Sequence, residues 1–231
     1  MYGFFLDSYY WILIVPAMLL AVWAQMRVQS TFSKYERVFT MRGMTASTVT
    51  RQILDMNGLY HIRIERVNGR LSDHYDPKAG VIRLSDAVYN STSIGAIGVA
   101  AHEAGHAVQY AQHYGPIKLR AGLIPVTNIG SSLAVPLAIM GAALGMGWLI
   151  DVGIVLFLAV VLFQLVTLPV EYNASGRAIR TLRESRFLSD SELNGAKKVL
   201  SAAALTYVAA LVVAVANLAR LLLLRNRERN R

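Results

Sequence analysis

The sequence contains no cysteine and has few charged residues. Of its 231 residues, 16% are charged and 55% are hydrophobic, whereas an ordinary soluble domain has roughly 25% charged residues. The lack of cysteine excludes a disulfide framework, an iron–sulfur cluster, a thiolate zinc site and a cysteine nucleophile. The mean hydropathy of +0.41 excludes a disordered chain. It favours a protein whose apolar surface is buried in a lipid bilayer.

Acidic residues are also scarce, so the chain is strongly basic. It has 23 lysines and arginines against 14 aspartates and glutamates, for a formal net charge of +9. The basic residues are spread along the chain, and many flank apolar segments. This distribution suits the inner face of a membrane rather than a nucleic-acid-binding surface. The partners expected are therefore the lipid bilayer and no nucleic acid.

Four long segments have almost no charge, and each approaches the roughly 20 residues that a spanning helix needs. They predict transmembrane helix 1 at 8–26, a transmembrane helical hairpin at 121–170 that turns near Gly145–Asp151, and transmembrane helix 4 at 199–224, followed by a basic tail at 225–231. The first segment could be a cleaved signal peptide. It has no preceding Lys or Arg and no A-x-A site, so an uncleaved anchor is favoured.

The polar region 27–120 predicts a small mixed domain. Its local patterns favour a helix at 44–57, strands at 60–67, near Leu71 and at 81–84, turns at 68–69 and 76–80, and a helix from about Ser93 to about His113 that Gly115-Pro116 ends. The Asn68-Gly69 pair predicts a hairpin. The fold class expected is α+β: a predominantly helical membrane protein with about four transmembrane helices and this small mixed domain.

The last helix of the polar region contains the pattern H-E-x-x-H. Residues four apart lie on one face of a helix, so His102 and His106 can reach one zinc ion. Glu103 lies beside His102, where its carboxylate can take a proton from a metal-activated water. Small and apolar residues surround the pattern, and a buried charge is costly unless it is paired or bound to a metal. These features predict a zinc-dependent peptidase site.

A catalytic zinc ion usually has three protein ligands, and the third must come from elsewhere. The metzincin pattern is excluded because Gln109 and Gln112 occupy the positions where it needs Gly and His. His113 lies about 10 Å along the helix from His106 and is too far away to share the ion unless the helix breaks. Glu171, at the end of the third apolar segment, is the better candidate. The alternative is a solvated acid at the membrane border.

The topology is compatible with Glu171 as a ligand. The hairpin at 121–170 crosses the bilayer twice and returns the chain to the side of the H-E-x-x-H helix. Most lysines and arginines near span ends then lie on that side, which the positive-inside rule makes cytoplasmic. The tail at 225–231 disagrees, because four crossings place it outside. Either the last segment does not cross fully or the tail breaks the rule.

The assembled motifs resemble the YugP-like family of membrane zinc metallopeptidases. The resemblance covers most of the chain and depends on four segments: Ser-Asp-His-Tyr-Asp-Pro at 72–77, the segment around H-E-x-x-H at 100–109, Leu-Pro-Val-Glu-Tyr-Asn-Ala-Ser at 168–175, and Ala-Ala-Leu-Thr-Tyr-Val-Ala at 203–209. More remotely, the layout is similar to gluzincin membrane peptidases of the HtpX kind. The resemblance implies that His102, His106 and Glu171 are zinc ligands and that Glu103 is the general base.

One departure concerns the residue that orients a ligand histidine. The remote relatives have an aspartate four residues after the ligand glutamate, where this chain has Ser175. Asn173 or Ser175 could supply the acceptor oxygen. The resemblance also suggests that strand 81–84 is a sheet edge that pairs with an extended substrate; the alternative is a structural strand. Arg177, Tyr172 and Tyr207 are candidates for stabilising a developing oxyanion.

The function expected is an integral membrane zinc metalloendopeptidase that hydrolyses peptide bonds of membrane or membrane-associated proteins. The site is expected on or near the cytoplasmic side of the cell membrane. The alternative is a non-hydrolytic membrane scaffold or chaperone-like protein with a retained zinc site. A small transporter or membrane-surface binder would leave the spacing of His102, Glu103 and His106 unexplained.

Overall fold

A computed structural model of the chain describes residues 8–229. Its elements, in chain order, are a short π-helical turn Tyr10–Ile14, α1 Val15–Tyr35, α2 Ala46–Met56, β1 Arg63–Val67, β2 His74–Asp76, β3 Val81–Ser85, α3 Ile94–Ala111, α4 Gly115–Leu144, α5 Gly147–Glu184 and α6 Asp190–Arg229. The helices α1, α4, α5 and α6 are long and apolar enough to cross a membrane. The structure thus confirms a predominantly helical α+β membrane protein.

The chain divides into two compact units. Of the described residues, the first unit contains 8–25, 118–168 and 205–229, and the second contains 26–117 and 169–204. Asn230 and Arg231, the last two residues of the expected basic tail, lie outside the described residues. The exact membrane boundaries of the four spans stay predictions.

In the first unit, small residues let α4 and α5 approach each other closely. A Cβ atom added at Gly130 would lie 2.5 Å from the carbonyl oxygen of Leu156, and one at Gly153 would lie 2.6 Å from that of Ala134. Small residues commonly allow such contacts between membrane helices. Gly145, with φ at +66°, and Met146 separate the two helices, so Asp151 lies inside α5.

The second unit contains a three-stranded sheet of order β1-β3-β2, in which β1 is parallel and β2 antiparallel to β3. The described residues contain no strand near Leu71, and the prediction of a hairpin at Asn68-Gly69 is wrong. Leu71 has φ at +58°, and β1 pairs with β3 instead of with the segment that follows it. The turn at 77–80 does join the antiparallel pair β2 and β3.

The expectation that β3 is a substrate-binding edge is also wrong. β3 is the central strand, with a neighbour on each side, and Val81, Ile82 and Leu84 are fully buried. Its backbone donors and acceptors therefore face β1 and β2. The outer strands of the sheet are β1 and β2.

Helix α3 lies in the core of the second unit and is built mainly from small residues. Ser93 caps its N-terminus by accepting a hydrogen bond from the Ala96 N–H at 3.2 Å. A Cβ atom added at Gly105 would lie 2.7 Å from the carbonyl oxygen of Ala174 in α5. Glycine at this position therefore lets α5 contact the backbone of α3. The Gly115-Pro116 pair does more than end α3, because α4 begins there; proline is well tolerated in a first helical turn.

Candidate metal centre

The two histidines of H-E-x-x-H lie one turn apart on the same face of α3. The His102 and His106 rings pack edge to face, with centroids 4.6 Å apart. Only 14% of the His102 side chain and 11% of the His106 side chain are exposed. Both Nε2 atoms point toward one carboxylate, which comes from α5.

That carboxylate belongs to Glu171, which is 2% exposed. Its Oε2 lies 3.2 Å from His102 Nε2 and 3.5 Å from His106 Nε2. One ligand atom from each of the three residues lies within 4.8 Å of the others. Glu171 follows Pro169 inside the continuous helix α5, so this helix brings the carboxylate to α3. The sequence-predicted ligand set of His102, His106 and Glu171 thus lies together.

The other ring nitrogen of each histidine contacts a side-chain oxygen. His102 Nδ1 is 3.1 Å from Ser175 Oγ, and His106 Nδ1 is 3.0 Å from Gln109 Oε1. Gln109 is fully buried, and its Nε2 donates to the Val170 carbonyl at 2.8 Å. Its amide oxygen must therefore face His106, which makes His106 Nδ1 the donor. This tautomer leaves the Nε2 lone pair directed at Glu171.

The arrangement attracts positive charge. A neutral imidazole that carries its proton on Nδ1 presents a lone pair to a carboxylate oxygen, and the two repel unless a proton or cation lies between them. The pKa of His106 is raised: burial lowers it, but the hydrogen bond to Glu171 and the negative charge of Glu103 outweigh burial. Two imidazoles and one carboxylate are also ligands that zinc takes in catalytic sites, with a fourth position open.

Glu103 lies next to His102 and is held by the edge strand β2. Its Oε2 accepts a hydrogen bond from the Tyr75 N–H at 3.0 Å. Burial raises the pKa of the Glu103 carboxyl, and the neighbouring histidines oppose this rise. A buried carboxylate with a raised pKa suits a group that accepts and returns a proton.

The segment Ser72–Pro77 contacts the site through its backbone. Asp73 accepts hydrogen bonds from the Ser85 N–H at 2.7 Å and the Ser85 hydroxyl at 3.0 Å. This contact ties the start of β2 to the end of β3 and so places the Tyr75 N–H over Glu103. His74 hydrogen-bonds the Ser72 carbonyl and approaches Arg83, on an exposed part of the sheet.

The two residues expected to orient a ligand histidine differ in their contacts. Ser175 contacts His102 directly. Asn173 does not contact a histidine; its Oδ1 accepts from Gln109 Nε2 at 2.9 Å and from Arg177 Nε at 2.7 Å. Gln109 is the orienting residue that sequence reasoning missed. Its position three residues after His106, on the same helix face, could have indicated the contact.

Two of the residues considered for stabilising an oxyanion, Arg177 and Tyr172, have side chains that are engaged elsewhere or exposed. Arg177 donates to Asn173 and, at 2.6 Å, to Gln112, so two of its nitrogens are already engaged away from the histidine pair. Tyr172 is 53% exposed. Neither the contacts of Arg177 nor the exposure of Tyr172 supports a role for these side chains at the reacting atoms.

Comparison with known proteins places the chain in a family. The family model described as "Putative neutral zinc metallopeptidase" matches residues 10–226. The chain belongs to this family. A curated relative from Bacillus subtilis (strain 168), named "Putative membrane protease YugP", is 48% identical over 220 residues, which cover 94% of this chain and 98% of the relative. No solved structure matches.

The family match covers nearly all of the described chain, including α3, the Glu171 segment of α5 and all or most of each candidate span. Family membership therefore supports a membrane protein of the metallopeptidase class with zinc as its metal.

Proposed function

We propose that this protein is an integral membrane zinc metalloendopeptidase. The observation that carries the proposal is the meeting of the Glu171 carboxylate with the Nε2 atoms of His102 and His106, on a helix that also presents Glu103. Glu171 lies 65 residues after His106 in the chain, on a different helix. Three buried or half-buried ligand groups of a type that zinc takes in catalytic sites thus converge at one point.

The donor set fits zinc on chemical grounds. His102 and His106 each have Nδ1 beside an oxygen, which leaves Nε2 free to bind a metal, and such contacts orient zinc-bound imidazoles. The Glu171 oxygen lies within 3.5 Å of both Nε2 atoms. His102, His106 and Glu171 would therefore hold the ion.

The proposed chemistry divides between the ion and the protein. A bound zinc ion with an open position lowers the pKa of a water molecule to about 7 and polarises a carbonyl oxygen. Glu103 takes a proton from the attacking water. It later gives this proton to the leaving amine nitrogen as the peptide C–N bond breaks. The Tyr75 N–H holds Oε2 of Glu103 and so limits the positions that the second carboxylate oxygen can adopt.

We propose membrane or membrane-associated proteins as substrates. Glu171 follows directly on the uncharged part of α5, which ends at Val170. A ligand at that position belongs near the membrane border, where hydrolysis would meet chain segments that leave the bilayer.

We propose that the site faces the cytoplasm. Arg225 Nε and Nη2 donate to the two oxygens of Asp151 at 2.7 and 2.9 Å, so the end of α6 lies beside the start of α5. This contact favours a full crossing by α6 and a tail on the same side as the α4–α5 turn. The tail then lies outside with four of the chain's 23 lysines and arginines. Asp151 neutralises one of these four, Arg225, which reduces the conflict with the positive-inside rule.

Single cysteines can test this orientation without background labelling, because the natural chain has none. Lys78→Cys and Asn226→Cys are treated with a membrane-impermeant maleimide in intact cells and in inverted vesicles. The expected result is labelling of Asn226→Cys in cells and of Lys78→Cys in inverted vesicles. Labelling of both from the same side would contradict the topology.

The activity is tested with two glutamate substitutions and a matched control. Glu103→Gln should keep zinc and lose hydrolysis of casein and of detergent-solubilised membrane proteins, whereas Glu171→Ala should lose zinc as well. Glu184→Gln, an exposed position on α5, should change neither. Zinc measured by mass spectrometry with no hydrolysis by the parent on any substrate would favour the scaffold alternative. A parent that binds no zinc after reconstitution would refute both.

A further inference from the structure

Gln109 is a buried carboxamide beside the candidate metal centre. It lies fully buried on α3, and both of its polar atoms are engaged: Oε1 with His106, and Nε2 with the Val170 carbonyl and the Asn173 amide oxygen. A buried polar group of this kind is costly if any partner is lost.

The hydrogen bonds of this group have a fixed direction. The Val170 carbonyl can only accept, so Gln109 Nε2 must donate to it, and Gln109 Oε1 must accept from His106. Asn173 Oδ1 accepts from Gln109 and from the Arg177 guanidinium. Arg177 fixes the Asn173 amide orientation, because its Nε can only donate.

We propose that Gln109, Asn173 and Arg177 form a relay that positions His106. The relay holds the imidazole with its proton on Nδ1 and presents Nε2 to the metal. Gln109 is a positioning residue and not a ligand. The inference rests on the proposed metal site but concerns residues that neither the family match nor the H-E-x-x-H pattern singles out.

The two histidines are held differently. His102 contacts a single hydroxyl, Ser175 Oγ, which can rotate and either donate or accept. His106 contacts an amide oxygen whose orientation two further hydrogen bonds determine. The relay therefore constrains His106 more tightly than Ser175 constrains His102.

The first test uses Gln109→Met, which keeps a similar volume but removes the acceptor. Zinc affinity is measured by competition with a chromophoric chelator. Loss of a group that orients a metal ligand typically costs 10- to 100-fold in affinity, and we expect a loss in that range. Gln52→Met, the same change at an exposed position on α2, is the matched control and should keep the parent affinity.

The second test reads the hydrogen bond at His106 Nδ1 in the zinc-loaded protein, where the metal occupies Nε2. Proton–nitrogen correlation of histidine-labelled protein should show a downfield, slowly exchanging His106 Nδ1 proton in the parent, and Gln109→Met should lose this signal. An unchanged Nδ1 proton signal in Gln109→Met, or an unchanged zinc affinity, would overturn the relay. Circular dichroism in detergent checks that each variant is folded.

A conservative pair at Asn173 keeps the proposal testable if Gln109→Met does not fold. Asn173→Asp retains an oxygen that accepts from both Gln109 and Arg177, so its zinc affinity should be no lower than that of the parent. Asn173→Leu removes that oxygen and should lower affinity at least several-fold. Equal affinities for this pair would contradict the relay. A parent that binds no zinc refutes the proposed function, whereas a parent that binds zinc no more tightly than Gln109→Met and Asn173→Leu refutes the relay alone.

Discussion

Gly105→Ala tests how the metal centre is assembled. Gly105 lies between His102 and His106, and a Cβ atom there would come within 2.7 Å of the Ala174 carbonyl oxygen and 3.3 Å of its carbon. Both atoms belong to the backbone of α5, which cannot move aside as a flexible side chain would. The methyl group must therefore push α3 and α5 apart.

The expected change in the free energy of unfolding of Gly105→Ala combines two opposing effects. Overpacking a close contact costs about 1–3 kcal/mol, whereas replacing a helical glycine with alanine gains about 0.5–1 kcal/mol. The free energy of unfolding should therefore fall by about 1 kcal/mol, within a range of about 0 to 2.5 kcal/mol. Glu171 and Ser175 flank Ala174 in α5 and would move with it. We therefore expect a loss of zinc affinity of about tenfold or more, which corresponds to about 1.4 kcal/mol.

The matched control is Gly176→Ala, in the same helix α5. A Cβ atom there meets nothing within 4 Å, so this variant should gain about 0.5–1 kcal/mol from helix propensity alone. Both variants are compared by denaturant unfolding in detergent micelles and by chelator competition for zinc. If Gly105→Ala equals Gly176→Ala in both stability and zinc affinity, this result would refute the close α3–α5 contact.

Three further predictions concern the metal, the buried acid and the ion pair in the first unit. Zinc at 100 times its dissociation constant should stabilise the parent by about 2.7 kcal/mol, and a melting temperature insensitive to zinc removal would count against the site. Burial raises the pKa of the Asp73 carboxyl, and its hydrogen bonds from Ser85 oppose this rise. The protonated carboxyl therefore stabilises the folded state, and this stabilisation is lost as the pH rises through the raised pKa. Asp73→Asn should gain stability relative to the parent from pH 4 to pH 7, and a constant difference would contradict this. Asp151→Ala should destabilise the parent but have much less effect on Arg225→Ala, as a double-mutant cycle can measure; additive effects would show that the pair is not coupled.

Local sequence signals were sufficient for most helices but not for the sheet. The cap at Thr45, which accepts from Thr48 N–H, and the cap at Ser93 are short-range features, so α2 and α3 could be located closely. The Asn68-Gly69 signal failed because strand pairing is decided by burial across the sheet. β1 pairs in parallel with β3, a contact that no local turn pattern can indicate.

The candidate site divides in the same way. H-E-x-x-H gives His102 and His106 by helix spacing alone, and counting membrane crossings brought Glu171 to the same side. The partner of His106 could not be chosen by residue type, because Asn173, Ser175 and Gln109 all offer an acceptor oxygen. Helix packing decides among them: Ser175 reaches His102, Gln109 reaches His106, and Asn173 binds Gln109.

X-ray absorption at the zinc edge tests the central claim most directly. Measured on the parent and on Glu171→Ala, it reports the number and type of atoms bound to the ion. The parent should show two imidazole nitrogens and oxygen ligands that include a carboxylate, and Glu171→Ala should give no zinc signal because it loses the ion. A parent spectrum with three imidazoles, or an unchanged spectrum in Glu171→Ala, would contradict the claim that His102, His106 and Glu171 hold the zinc ion.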